Sequence, residues 1–166
     1  MAKERSECQY VTFCLGAEVF AVPVSMVREI LDYRETFRLP DGPSFLLGLI
    51  DVRGRGTPVI DLRAKLGMEP VSSTPATRIM VVDIPLNQKI LALGLVADKV
   101  LEVATFDGKD VEPPPDVGVA WRSGYIDGVV SKGDSFVVLL DLPKLLTESD
   151  IEKLSPDLKT SIAVVG

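Results

Sequence analysis

The fold is decided by a stretch that occurs twice, first as Pro58-Val-Ile-Asp-Leu-Arg-Ala-Lys-Leu66 and again as Val138-Leu-Leu-Asp-Leu-Pro-Lys-Leu145. Each copy begins with an apolar run that is typical of a buried strand. Each continues with an aspartate, Asp61 or Asp141, which suits the N-cap position of a short helical turn. The two aspartates stand 80 residues apart, so the pattern predicts two similar units in one chain.

Two shorter segments repeat in the same order. Val27-Arg-Glu-Ile30 returns as Val100-Leu-Glu-Val103 at an offset of 73, and Gly48-Leu-Ile-Asp51 returns as Gly124-Tyr-Ile-Asp127 at an offset of 76. We therefore expect two structurally similar halves, each a small barrel of about five strands. Because neither half is large enough to bury an adequate core alone, the two should share one. Closing a small antiparallel sheet also removes its exposed edges.

The predicted organisation is a single domain over 1–166 with two subdomains. The first covers 10–70 together with a late strand region, the second covers 77–146, and 147–166 forms a C-terminal helix or tail. The segment Val27–Ile30 fits either a strand or a turn of helix. The other strands are predicted, from apolar runs between turn residues, over 10–15, 19–22, 46–52, 57–60, 79–84, 90–96, 100–103, 125–130 and 136–140.

The composition favours an all-β protein. Apolar residues make up 46% of the chain and charged residues 25%, which is typical of a folded globular domain. Valine, isoleucine and threonine are abundant, and their branched β-carbons fit strands better than helices. Thirteen glycines and twelve prolines supply turns between short strands.

The same composition excludes several classes of function. The chain contains no histidine, which removes histidine-based catalytic triads, the usual zinc sites and a histidine phosphoryl carrier. A net charge of −6 argues against a broad surface for nucleic acid or an anionic membrane. We expect neither a cofactor nor a metal ion.

The cysteines and the N-terminus indicate a reducing compartment. Cys8 and Cys14 fall on one predicted strand, where six residues place them roughly 20 Å apart, too far for a disulfide. The opening sequence MAKERSECQ lacks the apolar region of a signal peptide, and no apolar run approaches the length of a membrane span. We expect a cytoplasmic protein.

No combination of residues predicts catalysis. The aspartates 51, 61, 127 and 141 could act as paired carboxylates, but helix caps and strand ends explain them better. Arg53-Gly54-Arg55-Gly56 lacks the following helix and the Gly-Lys-Ser/Thr of a phosphate loop. Arg53 and Arg55 leave one alternative open, a small barrel that binds single-stranded nucleic acid, although only 6% of the residues are aromatic.

The repeated segments, taken together, resemble the CheW family of bacterial chemotaxis coupling proteins. The resemblance is carried by Val27-Arg-Glu-Ile30, Gly48-Leu-Ile-Asp-Val-Arg-Gly54, Pro58-Val-Ile-Asp-Leu-Arg63 and Phe136-Val-Val-Leu-Leu-Asp-Leu142, and it extends from about Gln9 to about Leu146. It implies two five-stranded SH3-like barrels around a common core. It also implies a non-enzymatic adaptor between the cytoplasmic tip of a methyl-accepting chemoreceptor and the regulatory domain of a CheA-type histidine kinase. That regulatory domain has the same two-barrel fold.

The resemblance also implies which residues bind the receptor. The valine and glutamate of the family's Val-x-Glu-Ile strand match Val27 and Glu29, and the arginine of its Asn-Leu-Arg-Gly turn matches Arg53. We expect Glu29 and Arg53 to pair at the rim of the site. Apolar residues that line a groove between the barrels match Val24, Ile30, Val96, Val100 and Val103.

The chain departs from the family pattern at three neighbouring positions. Asp51 replaces the usual asparagine, Val52 replaces a leucine, and Arg55 stands where an apolar residue is more common. These changes leave the identity of the receptor open. A coupling protein of a related chemosensory pathway, such as one for twitching motility, is an equally compatible alternative.

Overall fold

The computed structural model describes residues 7–40, 42–86, 88–113, 124–147 and 150. Within these ranges the chain is almost entirely β-structure, which confirms the predicted fold class. The strands are β1 (Glu7–Leu15), β2 (Glu18–Pro23), β3 (Val27–Asp32), β4 (Leu46–Val52), β5 (Arg55–Ile60), β6 (Arg78–Leu86), β7 (Lys89–Ala97), β8 (Lys99–Asp107), β9 (Val111–Glu112), β10 (Ile126–Lys132) and β11 (Ser135–Leu140). The short helices are α1 (Leu62–Lys65) and α2 (Leu142–Leu145), and 3-10 turns occupy Val24–Met26 and Gly108–Asp110.

The strands form two sheets. The first sheet has the order β8-β1-β2-β11-β10-β9, and the second has the order β3-β6-β7-β5-β4. Neighbouring strands are antiparallel except for one parallel pair in each sheet, β2 with β11 and β5 with β7. The ambiguous segment Val27–Ile30 is therefore a strand, at the edge of the second sheet.

Three apolar clusters explain why each sheet curls and why the two sheets pack against each other. Each sheet encloses a cluster of its own, and we call each sheet with its cluster the first and the second barrel. A larger shared core is built from both sheets and both helices, as predicted. The first barrel encloses Tyr10, Ala21, Phe106, Val130, Val137 and Leu139, and the second encloses Ile50, Val52, Val59, Ile79 and Val81.

The two barrels repeat one strand arrangement. The order β8-β1-β2-β11-β10 of the first barrel corresponds to the order β3-β6-β7-β5-β4 of the second, including the position of the parallel pair. The second barrel uses five consecutive strands, whereas the first joins the N-terminal hairpin to strands from the C-terminal half. The repeat predicted from sequence is thus present, but one of its units is assembled from both ends of the chain.

Sheet membership divides the chain differently from the predicted subdomain boundaries of 10–70 and 77–146. The N-terminal hairpin pairs with β8 and β11 of the later half, and β6 and β7 pair with strands of the earlier half. The predicted boundary was placed at the loop over 68–77. Strands on opposite sides of that loop nevertheless pair with each other, and the loop itself gives no sign of such long-range pairing.

One of the three predicted repeat offsets is wrong. Asp61 and Asp141 donate their backbone N–H groups to the carbonyl oxygens of Phe45 and Tyr125, at 2.8 and 2.7 Å. The donors and the acceptors of these two bonds are each 80 residues apart. At that offset Gly48 corresponds to Gly128, which lies at the equivalent bulge, and not to Gly124 as predicted. The offset of 73 between β3 and β8 is correct, because both strands carry a bulge inside their Val-x-Glu segment.

A bulge glycine lies under an added edge segment in each barrel. A Cβ at Gly48 would lie 2.3 Å from the carbonyl oxygen of Phe37, which pairs with Leu49 beside β4. A Cβ at Gly128 would lie 2.5 Å from a methyl carbon of Val111 in β9, which pairs with β10. Glycine allows both close approaches, so each barrel gains a short extra strand segment at the same edge.

The predicted helix caps are confirmed. Asp61 accepts hydrogen bonds from the backbone N–H groups of Arg63 and Ala64, and Asp141 accepts one from Lys144. Of the predicted C-terminal helix, Asp150 is helical and the rest lies outside the described residues. Both cysteines lie in β1 and are unpaired, as expected. The described part of the chain has no helix long and apolar enough to cross a membrane.

Candidate functional site

The candidate site begins at the bulge in β3. Val27 and Glu29 pair with consecutive residues of β6, so Arg28 is the extra residue and turns outward to Asp83, with bonds of 2.6 and 3.1 Å. Because of the bulge, Val27 and Glu29 project from opposite faces of the sheet although they are two residues apart. Val27 packs against the shared core, whereas Glu29 is the strand partner of Val81 in the second-barrel cluster. The Val-x-Glu pattern thus places an apolar and an acidic side chain on different surfaces.

Glu29 pairs with Arg53, as predicted. The Arg53 Nε and Nη2 atoms donate to the two Glu29 carboxylate oxygens at 3.2 and 3.3 Å. Since β3 and β4 are the two edges of the second sheet, this rim pair joins the edges of the barrel. The Arg53 side chain is 77% exposed and that of Glu29 is 22% exposed; because the arginine is so open to solvent, the pair contributes only about 0–1 kcal/mol to stability.

Arg53 occupies an unusual backbone conformation. It and Gly54 form the two-residue turn between β4 and β5, with φ angles of 53° and 84°. The corresponding first turn residues of two other hairpins are Gly16 and Gly133, both at φ 63°. A left-handed residue with a side chain costs about 1–2 kcal/mol, so the turn geometry by itself favours glycine here.

Four of the five predicted groove residues lie around the shared core, and Val27 of the Val-x-Glu strand joins them. Val24, Val27 and Val100 are half-buried and pack against that core. Ile30 and Val103 are exposed, and their strand partners Met80 and Val11 belong to the same core. We call these five residues the groove. Its two exposed members occupy equivalent positions in β3 and β8, so both barrels contribute to it.

Val96 is placed elsewhere. It packs against the cluster inside the second barrel, together with half-buried Leu31, Tyr33 and Leu47. The structure therefore does not bring Val96 together with the groove. Its apolar side chain stabilises the barrel interior, the simpler role that a valine on a β-strand commonly has.

A second ion pair, equivalent to the rim pair, was not predicted. Lys132 Nζ lies 3.0 Å from a carboxylate oxygen of Glu102, and joins β10 to the edge strand β8 of the first barrel. The glutamate belongs to the segment Val100-Leu-Glu-Val103, which repeats the Val-x-Glu of β3. The repeat offset of 73 could have identified Glu102, but no sequence signal identifies Lys132 as its partner.

Two further residues beside the rim pair were missed. Arg34 Nη2 donates to the Asp51 carbonyl oxygen at 2.9 Å, and Phe37 is 73% exposed where it pairs with Leu49. Both come from the segment before β4, where a strand pattern is too short to recognise. They enlarge the surface around the β4–β5 turn.

A polar pocket elsewhere in the second barrel has a structural explanation. Arg63 and Asp98 lie at this pocket and form two hydrogen bonds, of 2.5 and 3.3 Å. The bond from Arg63 lowers the pKa of the Asp98 carboxyl, and Asp98 raises the pKa of Arg63. Asp98 also accepts from the Gly16 backbone at 2.7 Å. The pair thus links the β1–β2 turn to α1. Its charged groups are bonded to each other, which explains their presence at the pocket without a ligand.

The candidate catalytic aspartates are not brought together. Asp61 and Asp141 cap different helices, and Asp51 and Asp127 lie in strands of different barrels. The features that the structure does assemble are an apolar groove, a charged rim and an exposed arginine turn. These are properties of a surface that binds another protein.

Comparison with known proteins agrees with this geometry. A family model described as CheW-like domain matches residues 9–150, which is most of the chain. The chain belongs to the CheW-like family. Its shared core, paired barrels and Val-x-Glu edge strands are therefore features of a CheW-like domain, and the predicted chemotaxis coupling family is confirmed.

Individual relatives support the same assignment. A chemotaxis protein CheW from Treponema pallidum is 28% identical over 155 residues, covering 93% of this chain and 91% of its own. Protein FrzA from Myxococcus xanthus is 32% identical over 146 residues, covering 87% and 89%. The crystal structure of the scaffolding protein TtCheW from Thermoanaerobacter tengcongensis has a TM-score of 0.75 and 27% identity, over 86% of this chain and 94% of that one.

Proposed function

We propose that this CheW-like chain is a non-enzymatic adaptor that joins the cytoplasmic tip of a chemoreceptor to the regulatory domain of a CheA-type histidine kinase. It would act in the cytoplasm, at membrane-bound receptor arrays. The observation that carries the proposal is that the edge strand β3 holds both the groove residues Val27 and Ile30 and, in Glu29, the partner of Arg53.

The groove has the properties that an amphipathic receptor helix requires. Half-buried valines form an apolar base, and the exposed side chains of Ile30 and Val103 can cover the apolar face of a helix. The rim pair lies in high dielectric and stabilises the fold little, so its charges are available to set the register of a bound helix. An apolar centre with a charged border is the usual anatomy of a protein interface.

The kinase would use a different surface. The resemblance implies that the kinase regulatory domain has the same two-barrel fold, so its contact with this chain is one barrel against another. The ends of the barrels present exposed apolar side chains, such as Phe136 in the first and Ile90 in the second. An adaptor needs two separate surfaces, and the barrel ends are distinct from the groove residues.

The first test is titration calorimetry of the full chain with a soluble cytoplasmic receptor fragment and, separately, with the kinase regulatory domain. We expect one-to-one binding to both. Arg53→Glu should weaken receptor binding at least about tenfold, because it replaces attraction at the rim with repulsion. It should change the unfolding temperature little, since the Arg53 side chain is largely exposed.

Two control variants make this test specific. Lys109→Glu makes the same charge change at a side chain that is 79% exposed in the first barrel, and it should leave receptor binding unchanged. The exchange Glu29→Arg with Arg53→Glu re-forms the internal pair with its charges reversed. If the exchanged protein binds receptor normally, the pair is structural and the rim assignment is wrong.

A related chemosensory pathway is the second candidate, favoured by the similarity to Protein FrzA. Binding to every CheA-type regulatory domain of the same genome, measured side by side, would separate the two. Tightest binding to a domain from a motility cluster other than the chemotaxis one would favour the alternative. Fluorescence anisotropy with a labelled oligonucleotide at low salt tests the remaining nucleic-acid hypothesis.

A further inference from the structure

Three arginines surround the turn between β4 and β5. Arg53 and Arg55 flank Gly54, and Arg34 reaches the same place from the preceding segment by its bond to the Asp51 carbonyl oxygen. We call Arg34, Arg53 and Arg55 the arginine tip. Its net charge is positive even when the two neighbouring carboxylates, Glu29 and Asp51, are counted.

The arginines of the tip are not equally engaged. Arg53 is paired with Glu29, whereas Arg34 donates to a backbone carbonyl and forms no ion pair with any described residue. The guanidinium group of Arg55 forms neither a hydrogen bond nor an ion pair with any described residue, and the residue is exposed; only its backbone is engaged, as strand partner of Val52 and acceptor from the Thr57 hydroxyl. The guanidinium groups of Arg34 and Arg55 can therefore bind a carboxylate from another molecule.

The register of the hairpin places Arg55 on the same side of the sheet as the rim pair. Arg55 is the strand partner of Val52, and Glu29 is the strand partner of Val81. Both valines belong to the cluster inside the second barrel. Because cross-strand partners project from the same face, Arg55 and Glu29 project on that face too. Arg55 thus extends the charged rim by one further cation.

The first barrel shows that the fold does not need these arginines. At the offset of 80, its equivalent turn has Gly133 in place of Arg53 and Ser135 in place of Arg55. Seven of the nine arginines of the chain fall within 27–97, the span of the second barrel. That span has nine basic and eight acidic residues, a net charge of +1, whereas the rest of the chain has nine and sixteen, a net charge of −7.

We propose that Arg55, with Arg34 beside it, binds a carboxylate of the receptor segment and so selects receptors with an aspartate or glutamate facing this turn. The inference rests on the proposed function. Guanidinium groups bind carboxylates through two parallel hydrogen bonds, which gives direction as well as attraction. A protein carboxylate fits better than a nucleic-acid phosphate, because the chain is acidic and has few aromatic residues for stacking.

The test measures the affinity of the full chain for the soluble receptor fragment at several salt concentrations. We expect Arg55→Val to weaken binding about tenfold at low salt, with a smaller effect at high salt, and to leave thermal unfolding unchanged. Lys109→Val, a matched loss of an exposed cation, should leave the affinity unchanged. Each aspartate and glutamate of the receptor tip is also replaced by its amide. One amide variant should reproduce the loss and add nothing to Arg55→Val.

The possible outcomes separate the inference from the proposed function. If the wild-type chain binds the fragment and Arg55→Val binds it equally well at every salt concentration, the inference is wrong and the proposed function stands. If the wild-type chain does not bind, both are overturned. If Arg55→Val weakens binding to a labelled oligonucleotide but not to the receptor, the turn binds phosphate and the inference is again wrong.

Discussion

The two barrels share one strand arrangement but differ in how their edges are joined. In the second barrel the link is Glu29 with Arg53, a turn residue in the left-handed region. In the first it is Glu102 with Lys132, an ordinary strand residue. The fold therefore does not require a left-handed arginine to bring two edge strands together. Under the proposed function, the backbone cost at Arg53 is offset by its role at the receptor surface.

The bulges of the two Val-x-Glu strands differ as well. In the first barrel, the buried hydroxyl of Thr12 donates to the Glu102 carbonyl oxygen at 2.9 Å and accepts from the Glu102 N–H at 3.2 Å. In the second barrel, the equivalent strand partner of Glu29 is Val81, which is fully buried in the apolar cluster. One bulge is held by a side-chain hydroxyl and the other lies beside apolar packing.

The largest effect is expected at the bulge glycines. Gly48→Ala should destabilise the protein by about 3–5 kcal/mol, because φ is 142° and the new Cβ would lie 2.3 Å from a backbone oxygen. Gly128→Ala should cost less, about 1–3 kcal/mol, since Gly128 does not have a positive φ, the nearest atom belongs to the Val111 side chain, and the Glu112 carbonyl oxygen is farther away, at 2.9 Å. Urea unfolding of both variants measures the difference. Equal losses of unfolding free energy would show that the edge segments beside Gly48 and Gly128 constrain their glycines equally.

An intermediate effect is expected from exchanging the bulge partners. Thr12→Val should cost about 1–3 kcal/mol, because it removes both bonds of a buried hydroxyl to Glu102. Val81→Thr places a hydroxyl in the apolar cluster and should cost about 1–3 kcal/mol as well. Chemical denaturation of the two variants checks this. A neutral Thr12→Val would mean that the hydroxyl does not stabilise the bulge.

The smallest effect on stability is expected from Arg53→Gly. Glycine relieves about 1 kcal/mol of left-handed strain, while loss of the exposed ion pair costs about 0–1 kcal/mol, so the unfolding free energy should change little. Receptor affinity should nevertheless fall about tenfold or more, as the rim loses its cation. Calorimetry and urea unfolding on one sample separate the two effects. Unchanged affinity would contradict the binding role of Arg53.

The sequence predicts the fold well because its main signals are local. Apolar runs between turns give nearly every strand, and Asp61 and Asp141 identify the capped helical turns. The subdomain boundaries could not be predicted, since they depend on pairing between residues about ninety positions apart, such as Thr12 with Glu102. A linear sequence shows that a strand exists but not which edge it joins.

The site is predicted less completely, for a related reason. Glu29 and Arg53 are identified through family motifs, and their pairing is confirmed by two hydrogen bonds. Val96 was assigned to the groove by its match to an apolar position of the family, but a sequence match does not distinguish a barrel interior from the surface between barrels. Lys132 and Arg34 carry no motif, and only the folded chain brings them to their partners.

The split construction of the first barrel has a consequence for synthesis of the protein. The hairpin of β1 and β2 leaves the ribosome first, yet its neighbours β8 and β11 are made much later. The second barrel has all of its own strands once Ala97 has been made, although the shared core still lacks the residues of β10, β11 and α2. The β1 edge of this hairpin therefore has no strand partner until β8 has been made, and the β2 edge has none until β11 has been made, so both are open to wrong pairing during synthesis.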